Sequence, residues 1–576
     1  MKRLLRQASV RESLRRPLMG LALAVTLGGC GGEAPAGSGS TFEVVGADGL
    51  GAGDGGSAAV DADGAVEPDI ASGALRGRVY LHDPVTDQGE TTEVALVQPI
   101  STDGTLHGPY ANVWNCLNQP GGPKVRYGEV EVGAFCLEQQ TAKVGTDGGW
   151  LHILPPSDPS DPEDPFAEVQ MYHHVHAMHA YFKDHFGLSA VDYPLDALVN
   201  VNIYIDPKVA PLAGLSPGWQ DFANAAFVPK EAFAAFHLPP RKADAIIFGQ
   251  HGKTDLAYDA SVIYHEYTHA MIGTTRLTSM IPDFYGIDHF PGALNEAFAD
   301  YFAASMTNHP VIGAYAIAAS GAHLIRDLSV VRRCPIDLIG EIHVDGRILS
   351  SALWRVRAQH GATFVDGVVL RALQQFTKAT SLQGAVKLIL NEAESEDAEM
   401  HATFKKVFTE HGLVDCLRVK PWKDWKADDT VDKVPYRLMG RGKLGGQGFP
   451  DGVPGPLQFS IALPNGTKAV TLRWQAWAPG FFSQPTLAIG VQAGKTVSLN
   501  LFDKGKIDAK LVTPMSPDPT DIAWQSVTLT GACLQGAAGK LYVLPLNAAN
   551  VDAEVTRLAV ITHTTTPAGP NLRTCK

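Results

Sequence analysis

With 576 residues, the chain is long enough for roughly two to four domains and a sizeable apolar core. A composition that is 45% hydrophobic and 19% charged is that of a globular protein. The net charge of −13 excludes nucleic acid as a partner, because phosphate binding needs a basic face.

At the N-terminus, Lys2, Arg3, Arg6, Arg11, Arg15 and Arg16 precede an apolar run over 18–27. That run is too short to span a bilayer and has the length of an export-signal core. It ends in Leu27-Gly28-Gly29-Cys30, which resembles the lipobox of bacterial lipoproteins. The resemblance implies a signal peptide over 1–30, lipidation of Cys30 and a membrane contact through that lipid. The protein would then be exported to the cell envelope, at the outer membrane or cell surface, or secreted if cut nearby without a lipid. Residues 31–74 are Gly, Ala, Ser and Asp with few large apolar side chains, the composition of a flexible tether. Besides Cys30 the chain has Cys116, Cys136, Cys334, Cys416, Cys533 and Cys575. An even number in an exported chain suggests disulfides, and sequence-local pairing gives Cys116–Cys136, Cys334–Cys416 and Cys533–Cys575.

From residue 75 the texture turns β. The runs 76–81, 93–97 and 124–132 alternate apolar and polar residues between Gly, Pro and Asp turns, as strands do. An acidic, Pro-rich link over 157–165 leads into a helix predicted from Phe166 to Phe186, ended by Gly187. Acidic loops such as 157–164 leave Ca2+ possible but unsupported, since solvated acids look the same. His173, His174, His176, His179 and His185 cluster on that helix, yet no carboxylate lies at a ligand offset. The cluster reads as histidines packed on a sheet. Strands follow at 199–205, 224–228 and 245–248. Between them, Gly214-Leu-Ser216-Pro-Gly218 has the form of a serine-hydrolase elbow but lacks a strand before it and a helix after it; it reads as a turn.

The next helix carries His265-Glu266-Tyr-Thr-His269, introduced by Asp259 as a candidate cap and closed by Gly273. Residues four apart share a helix face, so His265 and His269 can bind one metal ion. Glu266, one position round, can stand as a base beside the open coordination position. A second Ala-rich helical stretch carries Glu296 and, four residues on, Asp300. One carboxylate can complete a His2Glu zinc site and the other can orient a ligand histidine. The chain then reads as helical to about residue 415, and from about 430 as short strands of a β-sandwich.

The pair H-E-Y-T-H and G-A-L-N-E-A-F-A-D resembles the thermolysin and fungalysin type of zinc endopeptidase, the gluzincins. The resemblance covers 75–420 and implies an α+β, two-lobed domain acting on polypeptides. The lobe to about 255 would be β-rich and the lobe after it helical, with the zinc helix in the cleft; 430–576 would be an accessory β-sandwich. It makes His265, His269 and Glu296 ligands of one Zn2+, Glu266 the general base and Asp300 the residue behind the first histidine. It also makes Asn224 and Ala225 the start of an edge strand that binds the substrate backbone. Arg326, in Leu324-Ile-Arg-Asp-Leu328, would contact a substrate carbonyl, and His343, in Ile342-His-Val-Asp-Gly-Arg-Ile348, would donate to the oxyanion. Two features depart from the family pattern. No room exists for a long folded propeptide, and the assisting tyrosine has no clear match, Tyr285 being two positions off. An aminopeptidase shares the ligands but needs a G-x-M-E-N segment upstream, which is absent. A catalytically inactive surface-binding lipoprotein on the same scaffold is the alternative from another class.

Overall fold

The computed structural model describes residues 75–575 apart from 128–129, 160, 162, 209, 211–215, 236–240, 274–275, 278–279, 317–325, 423–424, 427–435, 442–448, 479–484, 502, 504, 533 and 535–538. Cys30, the signal segment, the linker and Cys533 lie outside the described residues. The fold is mixed α and β. No described helix is long and apolar enough to cross a membrane.

A hairpin of β1 (Arg76–Val79) and β2 (Thr92–Ala95) precedes a nine-stranded sheet. That sheet holds β3 (Ala111–Leu117), β4 (Lys124–Tyr127), β5 (Val130–Phe135), β6 (Leu137–Gln139), β7 (Leu195–Ile205), β8 (Gly218–Asp221), β9 (Ala225–Val228), β10 (Ala245–His251) and β11 (Thr254–Asp255). Its centre is β7, parallel to β3 on one side and to β10 on the other. β7 is buried on both faces along most of its length and is largely apolar, with Asn200 and Asn202 buried among its apolar side chains. The run expected as one strand over 124–132 is a hairpin, with Tyr127 opposite Val130. Alternation continues through both arms, which hid the reversal.

Helix α1 (Phe166–Phe186) crosses one face of the sheet against β3 and β7 and ends at Gly187, whose φ of 67° favours glycine. The opposite face is covered by a smaller cluster including Phe135, Leu198, Val201, Phe233 and Ile247. The Cys116–Cys136 disulfide lies in that cluster. After the short α2 (Lys230–Ala235), helix α3 (Ala260–Ile272) is buried along its whole length. It packs between α1 and α4 (Phe290–Thr307). Asp259 starts α3 as expected, accepting from the Ser261 amide and hydroxyl.

Helix α5 (Ile342–His360) lies against α4, followed by α6 (Ala362–Gln374), α7 (Leu382–Glu396) and α8 (Ala398–Glu410). The α4–α5 approach depends on Gly346, where a Cβ would come 2.4 Å from the Ala293 carbonyl oxygen. A second disulfide, Cys334–Cys416, joins the start of this helical region to its end. Cys575 is also disulfide-bonded.

The C-terminal region forms a six-stranded and a seven-stranded sheet. They meet through side chains such as Phe459 and Trp474, whose rings lie 6.4 Å apart. Val419–Pro421 already pairs with Gln458–Ala462, so these sheets begin before residue 430. Arg418 fastens them to the hairpin Ile281–Asp283/Gly286–Asp288 that leads into α4. Its Nη1 donates to the carbonyls of Ile287 and Pro456, each at 2.8 Å, and its Nη2 pairs with Asp283.

Candidate metal centre

His265 and His269 sit one turn apart on the face of α3 that looks at α4, and Glu296 answers from α4. The two Nε2 atoms are 3.1 Å apart. Glu296 Oε2 lies 3.3 Å from His265 Nε2, and its Oε1 3.7 Å from His269 Nε2. A tetrahedral ion with ligands at ~2.1 Å holds its donor atoms ~3.4 Å apart, so the three spacings fit one ion. All three residues are buried. Among the described residues they form the single His/Cys/Asp/Glu group that could hold a metal.

The atoms behind the ligands strengthen this reading. Asp300 Oδ1 is 3.0 Å from His265 Nδ1, and Asn295 Oδ1 is 2.8 Å from His269 Nδ1. An acceptor at each Nδ1 keeps the proton there and turns both Nε2 lone pairs inward. Two lone pairs and a carboxylate converging at these distances repel one another unless a cation lies between them. Burial pushes the His269 pKa down to about 4, which keeps that ring a neutral ligand. Burial acts to raise Glu296, yet the facing rings of His343, His269 and His265 outweigh it and hold the carboxyl well below its usual range.

Glu266, fully buried beside His265 on α3, reaches β9, where its Oε2 accepts from the Phe227 amide at 2.7 Å. Among the described residues β9 pairs only with β10, so no strand lies along its other edge, where the Phe227 amide meets Glu266. The Asn224 carbonyl accepts from Gly249 on the β10 side. Alternate residues 224, 226 and 228 therefore point their backbone groups at β10, and Ala225 and Phe227 point theirs outward. The Asn224 amide is 5% exposed, and neither its Oδ1 nor its Nδ2 has a hydrogen-bond partner.

Arg326 was expected within a helical region. It lies instead in a two-residue strand paired with Val311–Ile312, which brings its guanidinium to the rim of the trio. Nη1 donates to Asp300 Oδ1 at 2.8 Å and lies 3.4 Å from His265 Nε2 and 3.9 Å from Glu296 Oε2. Burial would raise Asp300, but Arg326 and His265 hold it below its ordinary value. His343, in the first turn of α5, places Nε2 3.5 Å from Glu296 Oε1, while its Nδ1 is 2.7 Å from Glu341 Oε1. Burial disfavours the charged ring, yet Glu296 and Glu341 raise its pKa above the ordinary value. Burial is likewise outweighed at Glu341, which His343 brings down to about 2.

Among the described residues, the Tyr285 side chain has no hydrogen bond or ion pair to the trio. It is half-buried on the hairpin before α4, and its backbone carbonyl accepts from Gln458. The histidines of α1 pair elsewhere: His174 with Tyr264 and the Tyr80 carbonyl, His176 with the Tyr172 carbonyl, and His179 with Asp192. Three functional neighbours escaped the sequence reading: Asn295, Glu341 and the Phe227 amide. Only Asn295 had a visible sign, standing directly before Glu296 in the second motif. No protein-family model matches this chain, and a search of the curated proteins returned no match.

Proposed function

We propose that this protein is a zinc-dependent endopeptidase of the thermolysin and fungalysin type. Residues 75–420 would form its two-lobed domain, with α3 in the cleft and the C-terminal sheets as an accessory β-sandwich. The observation that carries the reading is the joining of a His-His-Glu trio to a carboxylate, Glu266, on the same helical turn and against the outer edge of β9.

The residues fit Zn2+ in number, type and spacing. Bound there, Zn2+ would polarise a peptide carbonyl and acidify a water molecule. Glu266 takes the proton of the attacking water and passes it to the leaving amine. The outward backbone groups of Ala225 and the Phe227 carbonyl take the substrate as an added strand, the Phe227 amide being held by Glu266, and the Asn224 amide is poised to hydrogen-bond it. His343, between Glu296 and Glu341, donates to the oxyanion, and Arg326 adds positive charge at the same rim.

Export through a lipid at Cys30 belongs to the same proposal, supported by the disulfides, which suit an oxidising compartment. Casein cleavage by the purified chain, with and without chelator, is the test. The reading requires cleavage that chelator abolishes and Zn2+ restores. A folded, zinc-loaded chain that cleaves no polypeptide would favour the inactive surface-binding lipoprotein instead.

A further inference from the structure

Asp345, two residues beyond His343, is 1% exposed and gathers three groups around its carboxylate. Oδ1 accepts from the Ile339 amide at 2.8 Å, Oδ2 accepts from the Gly340 amide at 2.9 Å, and His289 Nε2 lies 2.7 Å from Oδ2. His289, itself 1% exposed, is the residue from which α4 departs toward Glu296. One carboxylate therefore ties together the turn before α5, the first turn of α5 and the root of α4.

That turn sets the aim of His343. Glu341 follows Gly340 directly; its Oε2 accepts from the Val344 amide at 3.0 Å, and its Oε1 faces His343 Nδ1 at 2.7 Å. The turn is closed from the far side by the C-terminal sheets. Gly340 has a φ of 81°, and a Cβ there would come 2.6 Å from the Pro456 ring. Lys420 Nζ donates to the Leu338 carbonyl at 2.8 Å. A ring on the first turn of a helix moves with that turn, so the register between α4 and the lead-in to α5 decides where His343 Nε2 lies relative to Glu296.

We infer that Asp345 and His289 form a positioning pair for His343, holding its ring at the distance from the metal ligands at which it can meet a developing oxyanion. Neither residue touches the ligands. The kinetic consequence rests on the peptidase reading, and the placement of the ring does not.

The test uses the full-length, zinc-loaded chain. Asp345→Ala should keep its metal and its KM while kcat on a quenched peptide falls about 10²-fold, the cost of misplacing a group by ~1 Å. Asp345→Asn, which still accepts from Ile339, should recover part of that loss. In a His343→Ala background, Asp345→Ala should cost less than about twofold, since the group it aims is gone. An equal loss in both backgrounds, or loss of zinc from Asp345→Ala, overturns the proposal. If the wild type cleaves no peptide, the proton resonance of His343 Nδ1–H decides. It should move in Asp345→Asn or Asp345→Ala, and an unmoved resonance in a folded variant overturns the positioning role.

Discussion

The Phe227 backbone amide donates to Glu266 Oε2 across 2.7 Å, joining the outer edge of β9 to the middle of the α3 helix. The carboxylate proposed as the base is thus held against the strand proposed to bind the substrate. Glu266→Gln preserves this contact, because a glutamine oxygen also accepts from an amide, but it cannot take a proton. The variant should bind zinc with wild-type stoichiometry, melt like the wild type and lose about 10²–10⁴-fold in kcat. Metal analysis alongside casein cleavage checks this, and equal activity in the two proteins would end the assignment of Glu266 as the base.

The residues behind the histidines should separate by what else they support. Asn295→Ala removes the acceptor at His269 Nδ1 and a long 3.4 Å donation to the Leu277 carbonyl, but no ion pair, and should weaken zinc binding about 10–100-fold, measured by competition with a chelator. Asp300→Ala removes the acceptor at His265 Nδ1 together with the 2.8 Å partner of buried Arg326. It should lose zinc and also cost about 3–5 kcal/mol in denaturant unfolding of the metal-free chain, as breaking a buried ion pair does. Equal unfolding midpoints for the two metal-free variants would contradict this division of roles.

Asp255 gives a pH dependence remote from the metal ligands. It is fully buried, accepting from the Ala257 amide at 2.8 Å and from Gln250 at 3.2 Å. Burial, with Asp164 nearby, raises its pKa to about 8. In the unfolded chain the group returns to about 4, so between those values the native state binds the extra proton. Its contribution to stability therefore falls as pH rises through that window, and the cost is complete above about 8. Asp255→Asn, which keeps an acceptor for Ala257, should gain stability relative to the wild type as pH rises from about 4 to 8, approaching a constant difference above that. Thermal melts of both proteins across this range measure the difference, and a difference that does not change with pH would contradict it.

How much was legible in the sequence follows from how local each contact is. The His265/His269 spacing needs only helix geometry, and Asp259 and Gly273 act on the ends of the same helix, so one window of sequence contained them. Glu296 was visible because Asp300 stands one turn away on a second helical stretch. Arg326 was misplaced onto a helix because a two-residue strand has no periodicity, and its pairing with Val311–Ile312 is tertiary. The hairpin at Tyr127/Val130 was hidden because alternation reads the same through a tight reversal. Glu341, the Phe227 amide and the Asp345–His289 pair depend on how α3, α4 and α5 pack, which no local pattern encodes.

Arg418 tests whether the C-terminal sheets support the site or only accompany it. It is 6% exposed and belongs to the segment entering those sheets, yet one nitrogen binds the carbonyls of Ile287 and Pro456 and another pairs with Asp283. Ile287 and Asp283 lie in the hairpin that runs directly into α4 and Glu296. Arg418→Ala would leave two buried carbonyls without their charged donor and a carboxylate without its cation. The expected cost is about 3–5 kcal/mol, seen as a lower denaturant midpoint. Because the loosened element is the approach to α4, zinc affinity should fall with stability, although Arg418 contacts no ligand. Arg418→Lys can keep the charge but not two donors in one fixed fork, so it should restore only part of both properties. A variant with lowered stability and wild-type zinc affinity would show that the sheets are held to the region of the metal trio without shaping it.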